Sequence, residues 1–498
     1  MSRLNPPASG ESLTPESKTL EYKRDLSSPY PVLRALVGFA NSAGGSLVVG
    51  VTDGLDTVGV ADPLAEQDRL ANLISDSISP RLVPQFEMVT VEDKTLLVVN
   101  VALSNRRPHY IKSLGRREGT FVRIGASNRQ ADQDLIKDLE RGTQDLYFDQ
   151  LPVLTQTPDD LDTSALEAML GRPVTLDLLR TLDLVTEDQG RRVATNGGVL
   201  LVGKNREQVF PFAHVMCARF RGEQRIDIFD RVEVHEHLPW AVDKVMDFLK
   251  KHAFRTAEFG EVRRRDVWSI PVDAIREVVV NALVHASYSA KGSPIRVAFC
   301  DDRIEVDSPG GLVPGITVED MVRGVSSVRN PVLARLFAEM GLMEKWGTGV
   351  PGVFAAAAAD GLPEPSIIEL PKSLRFTVFI KNHRPQIEPT PGTTRGAGDK
   401  VTNKVTNKVT NKVERQHAIL TAAAGMTPAS RSDLMAVIGV TSQSYNLRRF
   451  LTPLLEAGLL ELTQPDSPRS PTQRYRTTIA GRAFLEIHSA ARPGISDE

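Results

Sequence analysis

Between Pro271 and Val350 the chain sets a carboxylate, an amide and two glycine-rich turns in an order suited to a phosphorylated ligand. Asp273 to Ala286 carries apolar residues at three- and four-residue steps, which predicts a helix pressed on a core. Glu277 and Asn281 are four apart and share one face of that helix. A carboxylate and an amide oxygen so placed can hold a water and a hard, oxygen-seeking Mg²⁺ beside a phosphate. Downstream, Arg303 to Asp307 reads as a short strand breaking into Ser308-Pro309-Gly310-Gly311. Glu344-Lys345-Trp346-Gly347-Thr348-Gly349 then reads as a second glycine-rich turn opening a helix. Glycines there let backbone N–H groups come close to phosphates. Taken singly, Glu277 is a surface charge partner and Asn281 an amide satisfying a turn; the four pieces in this order favour nucleotide binding.

These residues resemble the GHKL ATPase fold shared by gyrase-type topoisomerases, heat-shock chaperones, histidine kinases and mismatch-repair ATPases. The nearest likeness is the compact branch found in bacterial transcriptional regulators. The resemblance implies ATP and Mg²⁺ as ligands, with Glu277 polarising the attacking water and Asn281 ligating the metal. It puts Asp307 where the adenine-reading aspartate belongs, and Gly310, Gly311, Gly347, Thr348 and Gly349 around the phosphates. Arg329-Asn330-Pro331, ahead of an apolar helix, resembles the branch's mobile lid. One departure is Pro309, which stands at the first glycine of the usual Asp-x-Gly-x-Gly turn.

A second concentration of chemistry lies between Ser104 and Arg129. Arg106, Arg107, Lys112, Arg116, Arg117, Arg123 and Arg129 are interleaved with His109, Tyr110 and Phe121, and Glu118 is the sole acid among them. Cations with aromatics between them suit phosphate contact and base stacking, and suit a solvated hairpin equally. The surrounding block resembles the Schlafen AlbA-type domain. The matching words are Glu16-x-x-x-x-Glu21-Tyr22-Lys23, Phe39-Ala40-Asn41-Ser42-Ala43-Gly44-Gly45, Val49-Gly50-Val51-Thr52-Asp53 and Val122-Arg123-Ile124-Gly125. The resemblance implies a nucleic-acid-binding module. In its nuclease members, acids at the places of Glu16, Glu21 and Asp53 form a cluster for Mg²⁺ or Mn²⁺, and three carboxylates can hold a cation that activates water. In other members Glu21 and Lys23 make structural ion pairs.

The elements that position these residues follow from the rest of the chain. Its 498 residues allow three or four domains, and 41% hydrophobic with 24% charged residues is globular composition. A net charge of −2 gives no overall pull toward nucleic acid or membrane, so any basic surface is local. Cys217 and Cys300 sit in apolar strand-like contexts and read as core residues. No apolar run nears a membrane span and the first ten residues lack a charged-then-apolar leader, so the cytoplasm is the expected compartment. Gly198-x-x-x-x-Gly203-Lys204 nearly spells a P-loop, but Asn205 replaces the hydroxyl residue and Val199 to Val202 reads as a strand. Three copies of Val-Thr-Asn-Lys from Val401 read as a tether. The C-terminal part reads as a winged helix, with helices at Gln416–Ala424, Ser430–Ile438 and Thr441–Ala457 and a ribbon at Leu459–Thr478. Arg448 and Arg449 lie on its third helix, which with the ribbon arginines suits groove docking on DNA.

The expected architecture is an α/β (α+β) multidomain chain. A Schlafen-like domain (12–144) precedes a connecting α/β module (145–266) and a GHKL-type α/β sandwich (267–382). A linker (383–413) and a winged helix (414–490) follow. The expected function is ATP-responsive binding of DNA or RNA by a homo-oligomeric regulator of transcription. The rivals are an ATP-gated, metal-dependent ribonuclease and an ATP-binding scaffold for protein partners.

Overall fold

Alternation along the first strands decides how the N-terminal sheet is buried. Leu20–Lys23 pairs parallel with Gly45–Val49, which pairs antiparallel with Lys94–Val101, and Gln85–Val91 closes the other edge. Leu47, Val49, Leu97, Val99 and Val101 face the Pro29–Asn41 helix and its buried Val32, Leu36, Val37 and Phe39. Leu20, Tyr22, Val48, Leu96 and Val98 form a second, smaller core on the opposite face, as a period of two requires. The computed structural model describes residues 13–259, 264–290, 292–343 and 347–381, and short stretches between 419 and 485. The chain divides into two units, residues 1–385 and 386–498.

Past the first sheet the chain departs from the expected division at residue 266. Val215–Arg221 and Asp227–Val234 join one six-stranded sheet with Ile295–Phe299, Arg303–Pro309, Ser373–Phe379 and Ser366–Leu370. Val215–Arg221 runs parallel to Ile295–Phe299; the other neighbours are antiparallel. The helices Leu238–His252 and Val272–His285 pack on this sheet, and a single core runs from Val153 to Ile380. The connecting module and the glycine-rich block are therefore one folded body. The strand expected at Val199 to Val202 is instead the buried Asn196–Val202 helix, capped by Thr195, whose hydroxyl accepts from Gly198 N at 3.0 Å. A four-residue apolar run carries no period of its own, so the cap decides. Among the described residues no helix is long and apolar enough to cross a membrane.

Asp149 ties the connecting module to the helix Pro331–Glu339. Its Oδ2 accepts from the N–H groups of Val332 (2.6 Å) and Leu333 (3.2 Å), two orphan donors of that helix's first turn. Burial drives its carboxyl up to about 7, against those two hydrogen bonds. A raised folded-state value means that the native state holds this proton more tightly than the unfolded chain. Its stabilisation is thus complete below about pH 4 and is lost as pH rises through 7, by roughly 4 kcal/mol. Asp149→Asn keeps an acceptor for both N–H groups, so urea midpoints of the variant should fall less than those of the wild type between pH 5 and pH 8. Parallel profiles would remove Asp149 as the titrating group.

In the second unit, Ala429–Ser430, Arg474–Thr477 and Leu460–Leu462 form a three-stranded sheet beside the Arg431–Val437 helix. Ile419, Leu420, Leu434, Leu451, Leu454 and Tyr475 fill its core. The ribbon arginines Arg474 and Arg476 face Asp433 (3.9 Å) and Glu461 (2.5 Å). Arg448, Arg449, most of the Thr441–Ala457 helix and the Val-Thr-Asn-Lys repeat lie outside the described residues.

Candidate functional site

The Val272–His285 helix contains Val278-Val279-Val280, a β-branched run with poor intrinsic helix preference. It is held by burial of Ile275, Val278, Val279, Val280 and Leu283. Its last turn is clasped by Asn330, whose Nδ2 donates to Val284 O (2.7 Å) and Ala286 O (2.8 Å). Asn330 is fully buried in that task and does not line the cavity below, which corrects its expected place among ligand-binding lid residues.

On the open face of this helix Asn281 Nδ2 donates to Glu277 Oε1 at 2.8 Å. Both line a cavity of about 430 Å³, floored by Val278, Ala282, Val306 and Phe376. Gly310, Gly311, Gly324, Gly347 and Gly349 stand around it, with Arg329, Arg335 and His285. Gly349 opens the Gly349–Ala359 helix, and any side chain there would collide with Glu277 Oε1. Gly347, at φ +70°, lies against Gly324, at φ +87°, so closely that a Cβ on either would strike the other's carbonyl. The glycines thus bring backbone to within contact distance of the Glu277 carboxylate. Thr348 is exposed at the cap of that helix and is not part of the lining.

Burial brings the Arg329 guanidinium down to about 10, still cationic at neutral pH. Its Nη2 donates to Gly311 O at 2.5 Å. Burial and then the Arg329 charge push His285 down to about 4, so its imidazole is neutral at pH 7. The cavity therefore pairs an apolar floor with one buried cation, one carboxylate and an amide.

The strand Arg303–Pro309 overturns the expected role of Asp307. Val306 and Ser308 line the cavity, whereas Asp307 points to the opposite face of the sheet. There it bonds Arg375 Nε (2.6 Å) and Arg225 Nη1 (2.8 Å). Burial would raise its carboxyl, but those two arginines outweigh it and hold the value low. Ser308 is the polar residue that this strand presents inward, donating to Ala282 O at 3.0 Å. Alternation from the buried Ile304 carries the signal that identifies Ser308.

The segment that carries the lining residues Leu312, Val313 and Ile316 is gripped by the N-terminal domain. Gly315 N donates to Ser42 O at 2.7 Å, and Lys18 meets Glu369 at 2.7 Å. Glu369 Oε1 also accepts from Leu312 N at 2.9 Å. Asp138 lies 3.8 Å from Arg329.

Residues 16–132 match the family model Schlafen, AlbA_2. The N-terminal domain of a RecG-related protein from Nitrosomonas europaea is 32% identical over 24% of this chain and 86% of that one, with a TM-score of 0.19. The N-terminal block, residues 16–132, is a Schlafen AlbA_2 domain. Residues 292–379 match HATPase_c_4, described as "Putative ATP-dependent DNA helicase recG C-terminal". Residues 415–478 match the C-terminal domain of Fic-like proteins, "Filamentation induced by cAMP protein". The DIP2311 protein from Corynebacterium diphtheriae is similar at 19% identity over 94% of each chain, with a TM-score of 0.41. No curated protein matches.

Within the Schlafen AlbA_2 domain the three expected metal ligands are not brought together. Glu21 is buried; its Oε1 meets Lys23 Nζ at 2.6 Å, and its Oε2 pairs with Arg123 and accepts from Asn128 Nδ2 at 3.0 Å. Glu16 is exposed and accepts from Tyr22 N at 2.9 Å, and Asp53 is exposed beyond the following strand. Among the described residues no group of three His, Cys, Asp or Glu could hold a metal ion. Both Glu21 oxygens already have cationic partners, so the acidic word at the start of the domain is spent on structure.

The same pairing removes Arg123 from the expected nucleic-acid surface. Its side chain is fully buried, donating to Ser17 O and Leu20 O (both 2.8 Å) and lying over the Phe39 ring at 4.9 Å. Arg107 is half-buried and donates to Ser104 O. Arg106, Lys112, Arg116, Arg117 and Arg129 are exposed. Arg116 pairs with Glu140 at the surface, and Lys112 donates to Ser75 O at 2.9 Å.

Proposed function

We propose that this protein binds ATP with Mg²⁺ in the 430 Å³ cavity and binds nucleic acid through the exposed cations of its N-terminal domain. The observation that carries the reading is the convergence of Glu277, Asn281, Arg329 and five glycines on one apolar-floored cavity. Its volume lies in the range of small-ligand sites, about 300–1,000 Å³. The apolar floor suits a base, and Ser308 offers it a hydroxyl; Gly310, Gly311, Gly347, Gly349 and Arg329 suit phosphates. Asn281 gives its amide nitrogen to Glu277, which leaves the amide oxygen as the metal ligand. Bound Mg²⁺ would supply charge neutralisation on the phosphates. Glu277, fixed by Asn281 and by the approach of Gly349, is placed to accept a proton from a water.

The regulatory part of the reading rests on the grip described above. The segment carrying the lining residues Leu312, Val313 and Ile316 is held to Ser42 through Gly315, and to Lys18 through Glu369, which accepts from Leu312 N. A ligand that reorders that segment changes the domain carrying Arg106, Arg116 and Arg117. We assign the protein, on this basis, to nucleotide-responsive regulators of DNA or RNA, acting as homo-oligomers.

The cationic surface is tested by its salt dependence. Replacing Arg116 and Arg117 by Ala should weaken nucleic-acid binding and flatten the log-affinity against log-salt line by about one to two units. Arg116 contributes the smaller part if Glu140 follows it into solvent. An unchanged slope would mean that these cations face bulk solvent in the complex.

A further inference from the structure

Behind the nucleotide cavity lies a second cavity of about 400 Å³ with different chemistry. One segment separates the two: Ser308 and Gly310 line the first, and Pro309 lines the second. Ser287 N donates to Pro309 O at 2.8 Å, and a Cβ on Gly310 would come within 2.7 Å of Ser287 Cβ, so the partition is one residue thick. Among the described residues, no charged side chain lines the second cavity, whereas the first has Glu277, Arg329 and Arg335. Phosphates and carboxylates would find no counter-charge there.

The lining is aromatic. Phe148 and Phe210 meet edge to face at 6.1 Å, Tyr288 closes one side and Phe212 is 41% exposed. Such walls suit a planar ring. The polar groups are equally particular. Ser289 Oγ donates to Asp138 Oδ1 (3.0 Å) and Ser287 Oγ to Asp138 Oδ2 (3.3 Å). Tyr288 Oη donates to Leu283 O at 2.7 Å. With their protons committed, these three hydroxyls have lone pairs to offer, so a donor on the ligand finds acceptors here, and Ser293 adds a hydroxyl that can donate or accept.

We propose that this cavity is a second small-molecule site, taking a neutral fused-ring aromatic that carries an N–H donor. Asp138, which orders Ser287 and Ser289, also lies 3.8 Å from Arg329 of the nucleotide cavity. The two cavities are thus neighbours across one partition, and each keeps its own lining. The site stands on its own geometry and does not require ATP in the first cavity.

The probe is 5-fluoroindole, titrated against the full chain without nucleotide and followed by ligand-observed ¹⁹F NMR. Saturable binding is expected. Ala290→Trp fills the second cavity and should weaken it by at least about tenfold, the loss expected when a ring no longer finds its pocket. Ala338→Trp fills the first cavity and should leave probe affinity unchanged. If Ala290→Trp fails to fold, Phe212→Asp at the mouth serves in its place, with the same expected loss. Absence of saturable wild-type binding would overturn the site. So would equal binding to the filled and open second cavity, or loss of binding in Ala338→Trp, which would put the probe in the nucleotide cavity.

Discussion

Asn281→Ala is expected to abolish Mg²⁺-dependent ATP affinity measured by calorimetry. Asn281 is the amide that the Val272–His285 helix presents to the cavity, and its nitrogen is already held by Glu277 at 2.8 Å. Removing it takes away the proposed oxygen ligand and releases Glu277 from its hydrogen bond at once. Glu277→Ala should preserve nucleotide binding and lower turnover by roughly 10²–10⁴-fold, the contribution of a positioned general base. Unchanged affinity in Asn281→Ala would displace the metal from this helix face. A wild type that binds ATP without turnover would make the cavity a sensor and leave Glu277 with an orienting role only.

The second large effect is structural. Arg123→Ala should destabilise the N-terminal unit by about 3–5 kcal/mol, because Glu21 would stay buried without its main cation. The guanidinium also holds Ser17 O and Leu20 O, so the edge strand Leu20–Lys23 would loosen with it. The double substitution Arg123→Met with Glu21→Gln removes both charges and should recover much of the loss. Nucleic-acid affinity of the double variant, measured while folded, should match the wild type, since neither side chain reaches the surface. Lost affinity in a stable double variant would return Arg123 to the binding face.

Much of the fold was legible because its signals are local. Pro29–Asn41, Pro63–Ser77, Leu238–His252 and Val272–His285 follow apolar periodicity, and Lys94–Val101 and Ser373–Phe379 follow apolar runs. At the site, the helix spacing of Glu277 and Asn281 and the glycine turns indicated a shared cavity. What failed was long-range pairing. Glu21 and Arg123 are 102 positions apart, and nothing local marks either as the other's partner. Asn330 reads as a polar lid residue until the carbonyls of Val284 and Ala286 are placed beside it. Asp307 failed differently: an aspartate before a glycine turn drew the reading one residue off, and one residue along a strand is the other face.

The six-stranded sheet also sets what evolution can move. The matched HATPase_c_4 stretch begins at residue 292, yet Ile295–Phe299 takes its parallel neighbour from Val215–Arg221, some eighty residues earlier. A recombination event that transplanted residues 292–379 alone would carry four of the six strands, with Ile295–Phe299 left as a bare edge and no Val272–His285 helix to bring Glu277 and Asn281. The heritable unit is therefore the longer body that starts with the Asp149 clasp. In such a lineage the Schlafen domain and this body are expected to travel as neighbours, since Ser42 and Lys18 supply contacts that the lining segment does not make for itself.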